Sequence, residues 1–212
     1  FAMIAGFFMA RFKMHPFIST MANMLIIFGL VTYATKGVSF GAIDPAIPNI
    51  FIPKAGRFPM IILWAIIAVV VVWFIWNKTT FGKNLYAVGG NPEAATVSGI
   101  SVFKVTMGAF IMAGILYGFG SWLECLRMVG SGSAAYGQGW DMDAIAACVV
   151  GGVSFTGGIG KISGVVTGVL IFTSLTYSLT ILGIDTNLQF IFEGIIILAA
   201  VTLDCLKYVQ KK

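Results

Sequence analysis

Phe58-Pro-Met-Ile-Ile-Leu-Trp-Ala-Ile-Ile-Ala-Val-Val-Val-Val-Trp-Phe-Ile-Trp-Asn77 runs for 20 residues without a formal charge. A helix crosses about 30 Å of hydrocarbon with about 20 residues, so this stretch alone reads as a transmembrane helix. The same test, the length of chain between consecutive charges, succeeds repeatedly on either side of it. Met14 to Thr35, Val105 to Leu123, Ala144 to Gly160 and Ile162 to Ile184 carry no formal charge, and Thr186 to Leu203 carries one, Glu193. An acid at a helix centre costs about 2.5 to 3.5 kcal/mol on the insertion scale, while the large aliphatic and Phe residues of that last run return about 3 to 6 kcal/mol. Six complete spans are therefore expected. Phe1 to Ala10 is apolar but short and is followed by Arg11 and Lys13; it is expected to be the end of a seventh helix that begins outside this chain. The fold class is all-α, a polytopic transmembrane helix bundle. Residues 1–212 are expected to form a single transmembrane domain, the C-terminal part of a longer subunit, with residues 78–104 as a cytoplasmic loop within it.

Composition agrees and removes other classes. The chain is 58% hydrophobic and 10% charged, against roughly half and a quarter in soluble globular chains. Cys125, Cys148 and Cys205 form no CxxC pair, and there is one histidine, so neither a disulfide framework nor a metal site is expected. The net charge of +5 comes from 13 Lys and Arg placed between apolar runs, which argues against nucleic acid and for topology signals. Placing Arg11 and Lys13 in the cytoplasm puts Lys78, Lys83, Lys104, Lys161, Lys207, Lys211 and Lys212 there too, and Lys36, Lys54, Arg57 and Arg127 outside. This bias predicts a cytoplasmic C-terminus by the positive-inside rule.

Helices in lipid associate through small residues and buried polar groups. Gly160, Gly164 and Gly168 fall four apart, as do Gly114 and Gly118, and they predict close helix packing or, as the alternative, a hinge for substrate passage. Ser19 and Asn23 form a mild polar stripe. Thr186, Gln189 and Glu193 share one helical face, which predicts either a polar lining of a translocation path or a structural hydrogen bond to another helix. Asn187, Tyr177 and Thr180 are weaker path candidates.

Gly157-Gly-Ile-Gly-Lys161 invites a phosphate-loop reading and fails it, because GxxxxGK[ST] requires glycine at 155 and Ser or Thr at 162 where the chain has Phe155 and Ile162. No nucleotide or other cofactor is expected in this chain. Asn77-Lys78-Thr79 fits a glycosylation acceptor but falls on the predicted cytoplasmic side. Within residues 78–104, Asn91 can cap a helix, Pro92 suits its first position, Glu93 favours its first turn and Gly99 can close it. A helix of about seven residues is marginal alone, so something is expected to pack on it: either the bundle itself or a soluble partner.

Glu93-Ala94-Ala95 followed by Gly99 has the E-A-A-x-x-x-G form of the cytoplasmic loop of bacterial ATP-binding cassette importer permeases. Phe81-Gly-Lys-Asn-Leu-Tyr-Ala-Val-Gly-Gly-Asn-Pro-Glu-Ala-Ala-Thr-Val-Ser-Gly-Ile100 and Asp143-Ala-Ile-Ala-Ala-Cys-Val-Val-Gly-Gly-Val-Ser-Phe-Thr-Gly-Gly-Ile-Gly160 resemble the ribose, xylose and galactose branch of those permeases. Leu203-Asp-Cys-Leu-Lys-Tyr208 resembles the galactose/methyl-galactoside members. The resemblance implies a permease subunit in the bacterial inner membrane that passes a monosaccharide. It implies a cytoplasmic ATPase that binds ATP and magnesium, a periplasmic or lipid-anchored sugar-binding protein, and a second permease copy, the whole embedded in membrane lipid. It places Asn91, Pro92, Glu93, Ala94, Ala95 and Gly99 against the ATPase. Gly157, Gly158, Gly160 and Lys161 form a second cytoplasmic turn that could share that contact, and Trp140, Asp141 and Asp143 could meet the binding protein. The chain is then not an enzyme. The main alternative is an ion-coupled secondary transporter using Glu193; a membrane-embedded enzyme lacks a readable nucleophile and base.

Overall fold

The computed structural model describes residues 1–209 except Phe40, Ala42, Ile43, Pro45, Gly56, Arg57, Gly130, Ser131 and Phe155, and gives residues 54, 55, 58, 186, 187 and 203–209 by backbone alone. Helices dominate, and a two-residue antiparallel ladder, β1 (Lys54–Ala55) on β2 (Phe58–Pro59), is the one strand pairing among the described residues. The chain divides into two compact units.

The first unit takes residues 1–85 and 93–136. It holds α1 (Ala2–Phe12), α2 (Pro16–Thr35), α3 (Ala46–Phe51), α4 (Ile61–Lys78), the first half of α5 (Thr80–Gly90), most of α6 (Pro92–Val97), and α7 (Val102–Arg127). Proline at its first position starts α2 without wasting a donor. Ser101 caps α7 by accepting the Lys104 amide at 3.4 Å. Between α4 and α5 the chain breaks at Thr79, whose hydroxyl donates to the Ile75 carbonyl at 2.6 Å and accepts the Gly82 amide at 3.3 Å. That exchange restarts a helix where the sequence reading expected loop. α1 lies on α7 at small residues: a Cβ built at Gly6 would stand 2.7 Å from Phe110 Cβ, and one at Gly114 would stand 2.8 Å from Ala2 Cβ. An aromatic group formed by Phe51, Trp64, Phe119 and Trp122 joins α3 to α4 and α7, with the Trp64 indole donating to the Phe51 carbonyl at 3.0 Å.

The second unit takes residues 86–92 and 137–212, with α8 (Trp140–Val150), α9 (Ile162–Ile181) and α10 (Thr186–Val209). α8 and α9 meet backbone to backbone, because Gly164 abuts the Gly151 carbonyl and Gly168 abuts the Ala147 carbonyl. Gly164 and Gly168 thus do the close helix packing their spacing predicts, whereas Gly160 lies in the turn before α9 against Val153, and of the pair Gly114 and Gly118 only Gly114 meets another helix, Gly118 having nothing within 4 Å. Ala146, Ala147 and Phe172 form the buried centre, and Ile196 and Ile197 of α10 close over it.

α2, α4, α7 and α9 are long and apolar enough to cross a membrane, and α10 contributes a shorter apolar stretch, Leu188–Thr202. The run Ala144 to Gly160 departs from the expectation of a full span. Helix continues only to Val150, so α8 covers about 16 Å of a hydrocarbon layer about 30 Å thick. Gly151 and Gly152 stop it, the latter at φ 82°, which is a helix-ending conformation that glycine adopts without cost.

Candidate functional site

The helix punctuation at residues 91–99 forms as the sequence predicts. Pro92 opens α6, Glu93 lies in its first turn, and Gly99 sits at φ 80°. The Ile100 amide donates to the Ala95 carbonyl and the Gly99 amide to the Thr96 carbonyl, both at 3.0 Å. This pair of bonds is the Schellman closure, which needs a left-handed residue at the Gly99 position. Asn91 alone separates α5 from α6, and its amide donates to the Ala87 carbonyl at 3.0 Å. Ala95 is buried, whereas Asn91, Pro92, Glu93 and Ala94 are exposed and Val97 is 90% exposed. A capped helix thus presents an apolar side chain outward.

The second turn, Gly151 to Lys161, is braced from within. The Ser154 amide donates to the Ile159 carbonyl at 3.0 Å, the Gly157 amide to the Ser154 carbonyl at 3.2 Å, and the Ser154 and Thr156 hydroxyls are bonded at 2.9 Å. Gly157 and Gly158 hold φ of 95° and 72°. The structure brings this turn onto residues 86–90: Tyr86 donates its phenol to the Gly160 carbonyl at 2.7 Å, and a Cβ built at Gly89 would stand 2.8 Å from the Gly158 amide nitrogen. A hollow of about 410 Å³ opens beside the contact, lined by Tyr86, Gly151, Gly152, Gly158, Lys161 and Ser163 among others. Tyr86 was not among the residues singled out from sequence, because its partner lies 74 residues away.

The polar face of α10 is engaged with its own unit. Gln189 is buried, donates its amide to the Ile184 carbonyl at 2.9 Å and accepts the Thr180 hydroxyl at 3.4 Å. It therefore ties the start of α10 to the turn after α9 and to Thr180 on α9 itself. The Glu193 carboxyl is hydrogen-bonded to that of Asp143 on α8. Tyr177 is 67% exposed and stands apart from this network. The side chain of Asn187 lies outside the described residues. At the start of α8, Trp140 and Asp141 are exposed, while Asp143 turns to Glu193.

A cluster that sequence reading missed sits at the end of α7. Arg127 pairs with the Glu124 carboxylate, its Nε at 2.9 Å from Oε2, and Tyr136 donates to Glu124 Oε1 at 2.6 Å. The spacing of Glu124 and Arg127, three residues apart on a helix, was the available signal. The bond to Glu124 holds the Tyr136 phenol above its ordinary value. No group of three or more potential metal ligands occurs among the described residues.

Comparison with known proteins adds the family. The model of the family described as branched-chain amino acid transport system / permease component matches residues 1–201. The chain is 56% identical over its full length to the galactose/methyl galactoside import permease protein of Treponema pallidum, covering 41% of that protein. It is 44% identical over 99% of its length to the protein of the same description from Escherichia coli, covering 64% of it. The ribose import permease protein of Bacillus subtilis is 36% identical over 94% of the chain, which covers 62% of that protein. The chain thus spans about two fifths to under two thirds of these relatives. No solved structure matches.

Proposed function

Since the chain belongs to the family of branched-chain amino acid transport system permease components, we propose that it is the membrane-spanning subunit of an ATP-binding cassette importer that passes a monosaccharide. Galactose or methyl galactoside is the favoured cargo. The family description names amino acids, but the relatives from Treponema pallidum, Escherichia coli and Bacillus subtilis are named for galactose/methyl galactoside and ribose, and that favours sugar. A neutral sugar is also better served by a path of amide, hydroxyl and aromatic groups than by one of fixed charges.

The observation that carries the reading is α6, a short helix fixed at both ends and bearing the exposed apolar Val97. Such a helix stands only if packed, and we assign its outer face to a cytoplasmic ATPase, with ATP and magnesium held by that partner. Closure of the ATPase pair would carry α6 with it and the spans beyond, a displacement of a rigid element in response to a ligand-driven change elsewhere. A periplasmic or lipid-anchored sugar-binding protein would deliver cargo at the opposite face; Trp140 and Asp141, expected there from sequence, begin a helix too short to reach that face from the turn 151–161. A second copy of the permease would complete the path. The distribution of basic residues supports a cytoplasmic position for α6, the turn 151–161 and the C-terminus of a bacterial inner-membrane protein.

The test is Gly99→Trp in the full-length subunit, reconstituted with its ATPase and binding protein. The side chain cannot hold φ 80° without strain. Sugar uptake is expected to fall at least about tenfold while nucleotide hydrolysis persists, and uptake at the unsubstituted rate would remove the coupling role. The ion-coupled alternative predicts uptake driven by an ion gradient without ATP. The Glu193–Asp143 bond favours the structural role for Glu193 over a coupling-ion site.

A further inference from the structure

We infer that Tyr86 is a positioning residue: together with the contact of Gly89 and Gly90 on Gly157 and Gly158, it fastens the chain entering α6 to the turn between α8 and α9. Displacement delivered at α6 would then reach both helices through backbone. The inference rests on the reading of α6 as the ATPase contact.

Three observations support it. The first is that nothing compliant separates the two segments. A Cβ built at Gly158 would stand 2.6 Å from Gly90 Cα, one at Gly157 would stand 2.7 Å from the Gly89 carbonyl oxygen, and one at Gly89 would stand 2.8 Å from the Gly158 nitrogen. Backbone abuts backbone, so neither segment can yield by changing a rotamer. The second is direction. The Tyr86 phenol reaches past this contact to the Gly160 carbonyl at 2.7 Å, adding a bond that resists sliding of one segment along the other. The third is stiffness at both ends. The turn is held by the Ser154–Ile159 and Gly157–Ser154 bonds. On the other side only Asn91 intervenes before Pro92, whose ring fixes φ. A pull on the chain at Pro92 therefore reaches the turn through the fastened backbone of residues 86–90.

Tyr86→Phe keeps the ring and removes the hydroxyl, and it separates this role from simple folding. The full-length subunit, assembled with its ATPase and sugar-binding protein in proteoliposomes, is measured for co-purified ATPase and for sugar imported per ATP hydrolysed. A mutant that merely folds less well lowers both activities together and leaves that ratio unchanged. The positioning role predicts unchanged ATPase recovery and a ratio lowered about threefold or more, the scale expected of one hydrogen bond. Gly89→Ala, which must part the two backbones, is expected to lower it further; should that variant fail to assemble, Tyr86→Phe decides. A wild-type ratio in Tyr86→Phe, alongside uncoupling by Gly99→Trp, overturns the inference and leaves the ATPase assignment standing. Coupling untouched by Gly99→Trp removes the ATPase assignment instead, and with it the premise used here.

Discussion

The hydroxyl of Ser19 donates to the backbone carbonyl oxygen of Ala5 at 3.1 Å, and both residues are buried. The bond joins α2 to α1 where lipid gives the two helices no hydrophobic reason to associate. Ser19→Ala is expected to cost about 0.6 kcal/mol, the typical worth of an interhelical bond in a membrane protein. Ser19→Leu, which must also displace α1, should cost about 1 to 3 kcal/mol. The midpoint of reversible denaturation of the purified subunit reads both, and equal midpoints for the two variants would deny the site its tight fit.

Gly164 and Gly118 make opposite predictions from the same residue type. A side chain at Gly164 runs into the Gly151 carbonyl, and backbone cannot step aside; at Gly118 nothing lies within 4 Å. Gly164→Val should prevent accumulation of folded subunit, whereas Gly118→Ala should leave yield and midpoint within about 0.5 kcal/mol of the parent. Fluorescence size-exclusion of detergent extracts distinguishes them, and a well-behaved Gly164→Val would contradict the α8–α9 contact.

Glu193→Gln replaces one carboxyl of the pair with an amide that can still donate to Asp143. Under the proposed function, ATP-driven sugar uptake is expected to stay within about twofold of the parent, because the interhelical bond survives. Glu193→Leu removes the partner and leaves Asp143 to find another, at a cost of about 1 to 3 kcal/mol. Abolition of uptake by Glu193→Gln with folding intact would return Glu193 to a coupling-ion role.

Tyr136 should titrate late. Its bond to the Glu124 carboxylate raises the phenol's value, so the contact is fully present below the ordinary tyrosine value of about 10 and is lost as pH rises through the raised one. Difference absorbance of phenolate, comparing the parent with Tyr136→Phe, isolates this one group. A Tyr136 component at or below the ordinary value would mean that the bond is absent in solution.

Sequence alone reached far where the signal was local. Asn91, Pro92 and Gly99 specify the start and stop of α6 through backbone conformations that those residue types favour, and the structure places the helix there. Uncharged length found α2, α4, α7 and α9 for a similar reason, since the hydrocarbon thickness imposes it. The same measure missed α5, where Lys83 interrupts the apolar run though the backbone remains helical. It overran α8 because it counts charge and does not register Gly151-Gly152 as a stop. Gln189 was legible as polar on an apolar helix, but its role in tying α10 to the turn after α9 depends on Ile184 and Thr180 arriving beside it. The Tyr86–Gly160 bond depends on folding across most of the chain's middle third, and no short-range pattern announces it.

Where α8 and α9 meet, carbonyl groups rest on glycine with no side chains between them. Such a seam has no upholstery: it cannot widen by a fraction of an ångström and refill the gap. The two helices must therefore travel as a welded plate, and whatever moves one of them moves the other by the same amount.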